Sequence, residues 1–587
     1  MRRARKATRR PVAGAAAVVL LATAACGYHP PDNSVVHLAD PGNCTPVDIA
    51  AAPDVASLLA DAASHFNGSS AARVKDHGCA FVRVQTVDAP VALDELTRNW
   101  PDTVRYGPPP AAWVPGSAMW GELLDARLAA RHLPAMAPNG TPFARTPLVV
   151  AMPAPMAHAL GYPRRAIGWK ELEQLAHDYR GWGAYGHPEW GPFRLGKGNP
   201  NWSTTGLDAT VAIDASTTAA PDAGLLEQSV AYYADSTAPY FDNWQRLATT
   251  STTGALTYLS AVITDERAVV AYNRGHAQAD TAVDKALTPP AVPLVAIYPG
   301  DATIESDHPI IVLDAAWSSP TARTGARLFT KFALQRATQA KVAAAGFRPA
   351  AGTPDPGLLV AADGVDASAR SHPVAPASPA GIVGSLDRWQ TIRRRARVLF
   401  LLDVSDSMGD PVPGRGPTKL AVARAALVNA LGQLGSDDEI GLRIFSTKLA
   451  GSAGRDWRDV VPTGTYAARR SALLRAIDAL TPQQGSPLYA ATRAAFDTVA
   501  QHRDRRRIDA VVLLTDGFNE DDHDTDLSGL LAHLGASPDV RVFTIAYGSA
   551  SDSVTLRKMA QATGARAFDA RNPVNIADVL PRVLASF

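Results

Sequence analysis

Ala396-Arg397-Val398-Leu399-Phe400-Leu401-Leu402-Asp403-Val404-Ser405-Asp406-Ser407-Met408-Gly409 is the stretch that decides how the chain is read. Its first half is almost continuously apolar, the pattern of a central parallel strand covered on both faces. It then breaks into a short loop in which one acid and two hydroxyls alternate: Asp403, Ser405 and Ser407. Downstream, Leu420, Leu427, Leu431 and Leu434 fall on one face of a helix, with Gly435 as its stop. Ile440, Leu442 and Ile444 alternate in a following strand. Residues 510–515 and 540–547 read as further buried strands, and 573–587 as a last helix. This alternation predicts a doubly wound α/β domain over residues 396–587.

Folds of this kind bind ligands where loops leave the C-terminal ends of the strands. The Asp403 loop lies there, and so does Asp516 in Leu513-Leu514-Thr515-Asp516-Gly517. A third loop, Gly485-Ser486-Pro487-Leu488-Tyr489-Ala490, leads into a helix. In this order the three pieces resemble the metal-ion-dependent adhesion site of von Willebrand factor A domains, a Rossmann-like fold. The resemblance makes Asp403, Ser405, Ser407, Ser486 and Asp516 the ligands of Mg²⁺ or Mn²⁺, with Ca²⁺ the lesser expectation. Ser486 stands where most members carry Thr and keeps the hydroxyl. Asp406 stands where Gly is frequent, and its side chain is expected to face solvent. The chemistry agrees, because Mg²⁺ and Mn²⁺ favour six oxygen ligands. Hydroxyl ligands leave the ion electrophilic, so an open position can take a carboxylate from an acidic protein partner. Asp522-His523-Asp524-Thr525-Asp526-Leu527 imitates a calcium loop but has Leu527 and His533 where that loop needs Gly and Glu. Residues 520–526 read instead as a solvated acidic loop near the metal face, which disfavours very acidic partners.

The N-terminus is of a different kind. Arg2, Arg3, Arg5, Lys6, Arg9 and Arg10 precede an apolar run over 11–25, and no acid occurs before Cys26. This is the layout of a secretory signal peptide, residues 1–25. The run is shorter than the roughly 20 residues of a membrane span. Leu21-Ala22-Thr23-Ala24-Ala25-Cys26 resembles a bacterial lipobox, with Thr23 where Leu is usual. That resemblance implies lipidation of Cys26, a tether over 26–43 and a place on the outer face of the cell membrane. Cleavage after Ala24, giving a secreted protein, is the alternative. The chain has 587 residues and a net charge of +1, which the six leader cations more than account for, so the body is mildly acidic and no nucleic-acid partner is expected. Cys44 and Cys79 are the remaining cysteines; in an exported protein they are expected to pair, against the alternative of two buried thiols.

Residues 45–51 read as a strand, 54–66 as a helix and 79–86 as a second strand, which implies a parallel sheet. Further on come Ala112-Trp113-Val114-Pro115-Gly116-Ser117, Thr146-Pro147-Leu148-Val149-Val150, Asn199-Pro200-Asn201-Trp202-Ser203-Thr204-Thr205-Gly206, Tyr298-Pro299 and Ala345-Gly346-Phe347-Arg348-Pro349. This ordered set resembles two-lobed bacterial extracellular solute-binding proteins of the periplasmic type. The resemblance implies such a module over 44–352, followed by a linker over 353–395. It also implies a crossing between lobes near Val149–Met152, a return near Leu294–Tyr298, and a ligand cleft that closes by a hinge. Ser117, Asn201, Ser203, Thr204 and Thr205 are the candidate cleft residues. Hydroxyls and free amides at a helix start favour an anion, while simple helix capping accounts for most such clusters. Trp113, Trp202 and Tyr272 are candidate cleft walls or core residues.

The expected protein is therefore an exported, lipid-anchored, non-enzymatic binding protein. It joins a possible small-solute module to a metal-dependent adhesion domain. Two alternatives stand beside it: a transport receptor handing a small anionic solute to an ABC permease, and an accessory or assembly factor for an envelope enzyme complex.

Overall fold

Thr45–Ala51 (β1), Pro53–Phe66 (α1) and Gly78–Thr86 (β2) form the first strand–helix–strand unit, and β1 pairs with β2 in parallel. The helical spacing of Val55, Leu59, Ala62 and Phe66 puts all four on the buried face of α1. Cys44 and Cys79 are disulfide-bonded, joining the loop before β1 to the start of β2 across 35 residues of chain. A crosslink over that length contributes about 3–4 kcal/mol by restricting the unfolded chain. The computed structural model describes residues 38–587, apart from 76–77, 217–222, 277–287, 355, 370–377, 414–415, 448, 450–454 and 538. The leader and Cys26 lie outside the described residues.

The chain continues through Ala89–Thr97 (α2), Ala112–Val114 (β3), Met119–Ala130 (α3), Ala144–Pro153 (β4), Leu195–Gly198 (β5), Thr204–Ser216 (α4) and Val230–Ala234 (β6). Ala261–Asp265 (β7), Glu266–Asn273 (α5), Leu294–Ile297 (β8), Pro309–Val312 (β9) and Pro320–Ala333 (α6) complete the module. Two sheets result, one to a lobe. The first runs Arg73–Val74, β2, β1, β3, β9, Thr141–Pro142. The second runs β8, β4, β7, β5, β6, with Glu305–Ser306 and Arg348–Pro349 also pairing with β4.

The chain enters the second lobe between Pro142 and Ala144, slightly earlier than the sequence indicates. The return is displaced further. Leu294–Ile297 pairs antiparallel with β4 and stays in the second lobe, whereas Ser306 still pairs with Thr146 and Pro309 already pairs with Pro142. The crossing is thus at Asp307–His308. An apolar run announces a strand but not the sheet it joins.

Within 353–395, Pro379–Ile392 is a helix (α7). The C-terminal domain then runs Arg395–Asp403 (β10), Lys419–Ala430 (α8), Glu439–Phe445 (β11), Trp457–Thr465 (β12), Leu488–Gln501 (α9), Arg507–Thr515 (β13), Leu527–Gly535 (α10), Val540–Tyr547 (β14), Ser553–Ala562 (α11), Ala567–Ala570 (β15) and Ile576–Leu584 (α12). The sheet order is β12-β11-β10-β13-β14-β15, parallel except for the edge strand β12. Leu399, Leu401, Val511 and Leu513 pack with α9, α10 and α11, while Val398, Phe400, Leu402, Val512 and Leu514 pack on the other face with α8 and α12. Both faces are covered, which is why β10 has no polar alternation. Each fully buried aliphatic side chain there contributes roughly 1.5–3 kcal/mol. Helix α8 stops at Ala430 and tightens into a short 3₁₀ turn over Leu431–Gln433, so Gly435 is not its stop. Gly435 instead donates its amide to Asp438 Oδ2 at 2.8 Å.

Candidate metal and ligand sites

Strand β10 ends in Asp403, fully buried, and β13 runs into Asp516, also fully buried. The parallel pairing of the two strands brings their C-terminal ends together. Asp403 Oδ1 accepts from the Ser405 amide at 2.8 Å, which folds the loop back over the strand end. Ser405 Oγ and Ser407 Oγ are 3.1 Å apart, and Ser407 Oγ donates to Asp516 Oδ1 at 2.7 Å. Ser486 Oγ donates to Asp403 Oδ2 at 2.9 Å. Gly485 before it has φ +61°, a left-handed turn that glycine adopts without strain. The five side chains named from the sequence thus meet in one hydrogen-bonded cluster contributed by three loops. Asp406 is exposed.

Three further residues belong to this cluster. Thr515 Oγ1 donates to Asp403 Oδ2 at 2.5 Å. Lys419 Nζ, at the start of α8, lies 2.7 Å from Asp516 Oδ2 and 3.4 Å from Asp410 Oδ2. Glu520 straps two loops together: its Oε2 accepts from the Ser486 amide at 3.0 Å and its amide donates to the Ser486 carbonyl at 2.8 Å. Burial pushes the Asp403 carboxyl up to about 6, opposed by the hydrogen bonds from Thr515 and Ser405 and reinforced by the nearby Asp516. Burial works against the charge on Lys419, but its bonds to Asp516 and Asp410 outweigh this and raise it above the usual lysine range. Two buried carboxylates facing a ring of hydroxyls, with Lys419 paired to one of them, form a donor set of hard oxygens. That set suits Mg²⁺ or Mn²⁺. Among the described residues no cluster of three or more His, Cys, Asp or Glu is placed to hold a metal.

The candidate cleft residues make hydrogen bonds within the chain. Thr204 Oγ1 accepts from Trp120 Nε1 at 3.0 Å, so α4 of the second lobe already touches α3 of the first. At Gly116 a Cβ would come within 2.8 Å of Thr204 Oγ1, so only glycine permits this approach. Ser203 Oγ accepts from the Gly206 amide at 3.2 Å and lies 3.0 Å from Thr205 Oγ1, which is helix capping. Asn201 is exposed and its amide bonds back to Asn199. Ser117 Oγ, two residues before the start of α3, accepts from the Met119 amide at 3.4 Å. Asp307 Oδ1 takes the Ala118 amide at 2.9 Å, so the start of α3 carries one of the chain's own carboxylates. Trp113 and Tyr272 are core residues.

Sequence reasoning did not find the buried polar cluster at the crossing between the lobes. His308 Nε2 lies 2.7 Å from Asp54 Oδ2, and Ser306 Oγ donates to Asp208 Oδ2 at 2.5 Å. Asp208 is fully buried, and its Oδ1 has no hydrogen-bond partner. Burial pushes the Asp208 carboxyl up to about 7, against the pull of Ser306 and Ser117 and with help from Asp307. The folded state therefore retains a proton that the unfolded chain loses from about pH 4 upward. Stability from this group is present below that pH and is lost as pH rises toward 7. Asp208→Asn should therefore be more stable than the wild type at about pH 8 by roughly 2–4 kcal/mol, with little gain near pH 4. Urea midpoints at the two pH values check this; a gain of equal size at both would exclude Asp208 as the cause.

The described residues include no helix long and apolar enough to cross a membrane. The family model for bacterial extracellular solute-binding proteins matches residues 47–348, more than half of the chain, and the chain belongs to that family. Residues 398–582 match the von Willebrand factor type A domain. The molecule is therefore an exported binding protein that carries both modules. It is similar to uncharacterized proteins from two strains of Mycobacterium tuberculosis, 23% identical over 551 residues, covering 88% of this chain and 73% of the relatives. Among solved structures it is similar to the sulfate-binding protein SubI from Mycobacterium tuberculosis, with 17% identity and a TM-score of 0.35 over 58% of this chain and 98% of that one. A von Willebrand factor type A protein from Catenulispora acidiphila gives 21% identity and a TM-score of 0.27, covering 33% of this chain and 42% of that chain's length.

Proposed function

We propose that this chain is a non-enzymatic, lipid-anchored envelope protein that grips an acidic protein partner. Asp403, Ser405, Ser407, Ser486 and Asp516 hold Mg²⁺ or Mn²⁺, which when bound offers a Lewis-acidic position to a partner carboxylate. The observation that carries this reading is the convergence of two fully buried carboxylates and three hydroxyls from three separate loops. A second feature supports it. The von Willebrand domain rests on the solute-binding module through residues at the starts of its strands, such as Arg394, Arg541 and Arg566. Asp403 and Asp516 lie at the opposite ends of those strands, facing away from the module.

The partner is a segment with one isolated carboxylate in a region not otherwise acidic, because Glu520, Asp522 and Asp526 are exposed beside the site. An anionic solute in the middle module is not part of this reading: Asp54, Asp208, Asp265 and Asp307 converge on the crossing, and burial pushes Asp208, Asp265 and Asp307 above the usual carboxylate range. Mn²⁺ binding followed by water proton relaxation tests the proposal. The mature chain should enhance relaxation with Mn²⁺ present, and a peptide with a single glutamate should reduce that enhancement while its glutamine counterpart should not. Loss of the glutamate effect would defeat the partner reading; absence of any enhancement would defeat the metal.

A further inference from the structure

Helix α12 and the last three residues of the chain sit where the two lobes of the solute-binding module meet. Arg582 Nη1 lies 3.2 Å from Asp235 Oδ2, and its Nη2 pairs closely with Asp88 Oδ2. Asp88 follows β2 in the first lobe and Asp235 follows β6 in the second. One guanidinium therefore bridges the cleft-facing ends of strands from both lobes. Its neighbours repeat the pattern. Arg105 of the first lobe pairs with Asp578 on α12, and Arg566 pairs with Asp235. The Ala585 carbonyl accepts from Asn199 Nδ2 at 3.0 Å, and the Ser586 carbonyl accepts from the Tyr233 amide at 3.1 Å. Phe543 packs edge-on against both Tyr232 of the second lobe and Phe587.

Helix α7 makes a second bridge. Ile382 shares one core with Trp120 of the first lobe and Leu207 and Val211 of the second. Ser385 Oγ donates to Asp214 at 2.7 Å on α4, and Arg388 pairs with the same carboxylate. Helix α7, just after the module, and α12, at the far end of the C-terminal domain, are thus each fastened to both of its lobes.

We propose that the cleft edge of the solute-binding module is a docking surface for this chain's own α12, and that Arg582 latches the two lobes shut. In such a module an opening motion separates the lobes, so it must break the contacts of Arg582 to one side or the other. Access to the cleft is then tied to release of the von Willebrand domain, and the module acts as that domain's receptor rather than as a freely hinging solute trap.

Spin labels on the full chain at Leu133→Cys and Tyr179→Cys, exposed positions in the two lobes, report the lobe separation. Cys26→Ser keeps the labels specific, since Cys44 and Cys79 are paired. The otherwise wild-type chain should give one narrow distance. Asp88→Asn removes only the first-lobe arm of the latch, and Arg582→Gln removes both arms. Each should add a population at longer distance, and Arg582→Gln should reduce hydrogen-exchange protection of the Tyr233 amide at least about tenfold. Unchanged distances in both single variants, with cooperative unfolding retained, would overturn the latch. An already open wild-type chain would overturn it as well.

Discussion

Arg348→Met should lower the stability of the module by about 3–5 kcal/mol, the cost of stranding one partner of a buried ion pair. The partner is Glu266, at the start of α5 and fully buried. Arg348 Nε donates to Oε1 at 2.9 Å and Nη2 to Oε2 at 2.6 Å, the two-pronged geometry that fits guanidinium to carboxylate. Tyr298 adds a third bond to Oε2 at 2.6 Å. Methionine matches the length of the arginine stem and supplies no donor, so Glu266 would be left with one hydroxyl in a dry site. Burial and the adjacent Glu266 already push the Tyr298 hydroxyl well above its usual range, which marks how poorly this place tolerates a second unbalanced negative charge. The loss should appear as an earlier first transition in urea. Adding Glu266→Leu should recover most of it, because two apolar groups need no partner. A single variant within about 1 kcal/mol of wild type would mean that water reaches Glu266.

The position of Arg348 explains how much of the fold local sequence could reveal. Residues 45–86 were legible from their periods and the β10 strand from an unbroken apolar run with a definite polar stop, and the structure has strands and a helix in those places. The Gly-Phe-Arg-Pro stretch was legible as a marker but not as chemistry. Its arginine meets a carboxylate 82 residues away, and nothing local announces such a pairing. The same limit hid Thr515, which reads as an ordinary β-branched strand residue, and Lys419, which reads as a solvated helix start. It hid the return at Asp307–His308, since β8 and β9 are equally apolar. It hid the edge strand β12, whose burial alternates irregularly and whose register shifts against β11. The hydroxyl cluster at 203–205 left two readings open for a different reason. A capping hydroxyl and a ligand-binding hydroxyl look identical in sequence, and here Ser203 caps its helix while Thr204 meets Trp120.

At the proposed metal site the expected loss is larger in ratio than any of these. Asp403→Ala should weaken Mn²⁺ and Mg²⁺ binding by more than about a hundredfold, beyond the 10–100-fold typical of residues that only orient ligands. Asp403 supplies a carboxylate and also organises the other donors: Ser405 through its amide, Ser486 and Thr515 through their hydroxyls. Alanine removes both contributions, so on its own it cannot separate lost charge from lost order. Asp403→Asn separates them. The amide keeps an acceptor oxygen for the neighbouring donors and nearly the same volume, but carries no charge. A hard divalent cation held by two carboxylates and neutral hydroxyls depends on that charge. Asp403→Asn should therefore lose metal nearly as completely as Asp403→Ala while unfolding within about 1 kcal/mol of the metal-free wild type. Calorimetric titration of the three chains beside urea denaturation checks both halves. Wild-type affinity in Asp403→Asn would place the ion elsewhere, because the other acid of that loop, Asp406, is exposed and outside the hydrogen-bonded cluster.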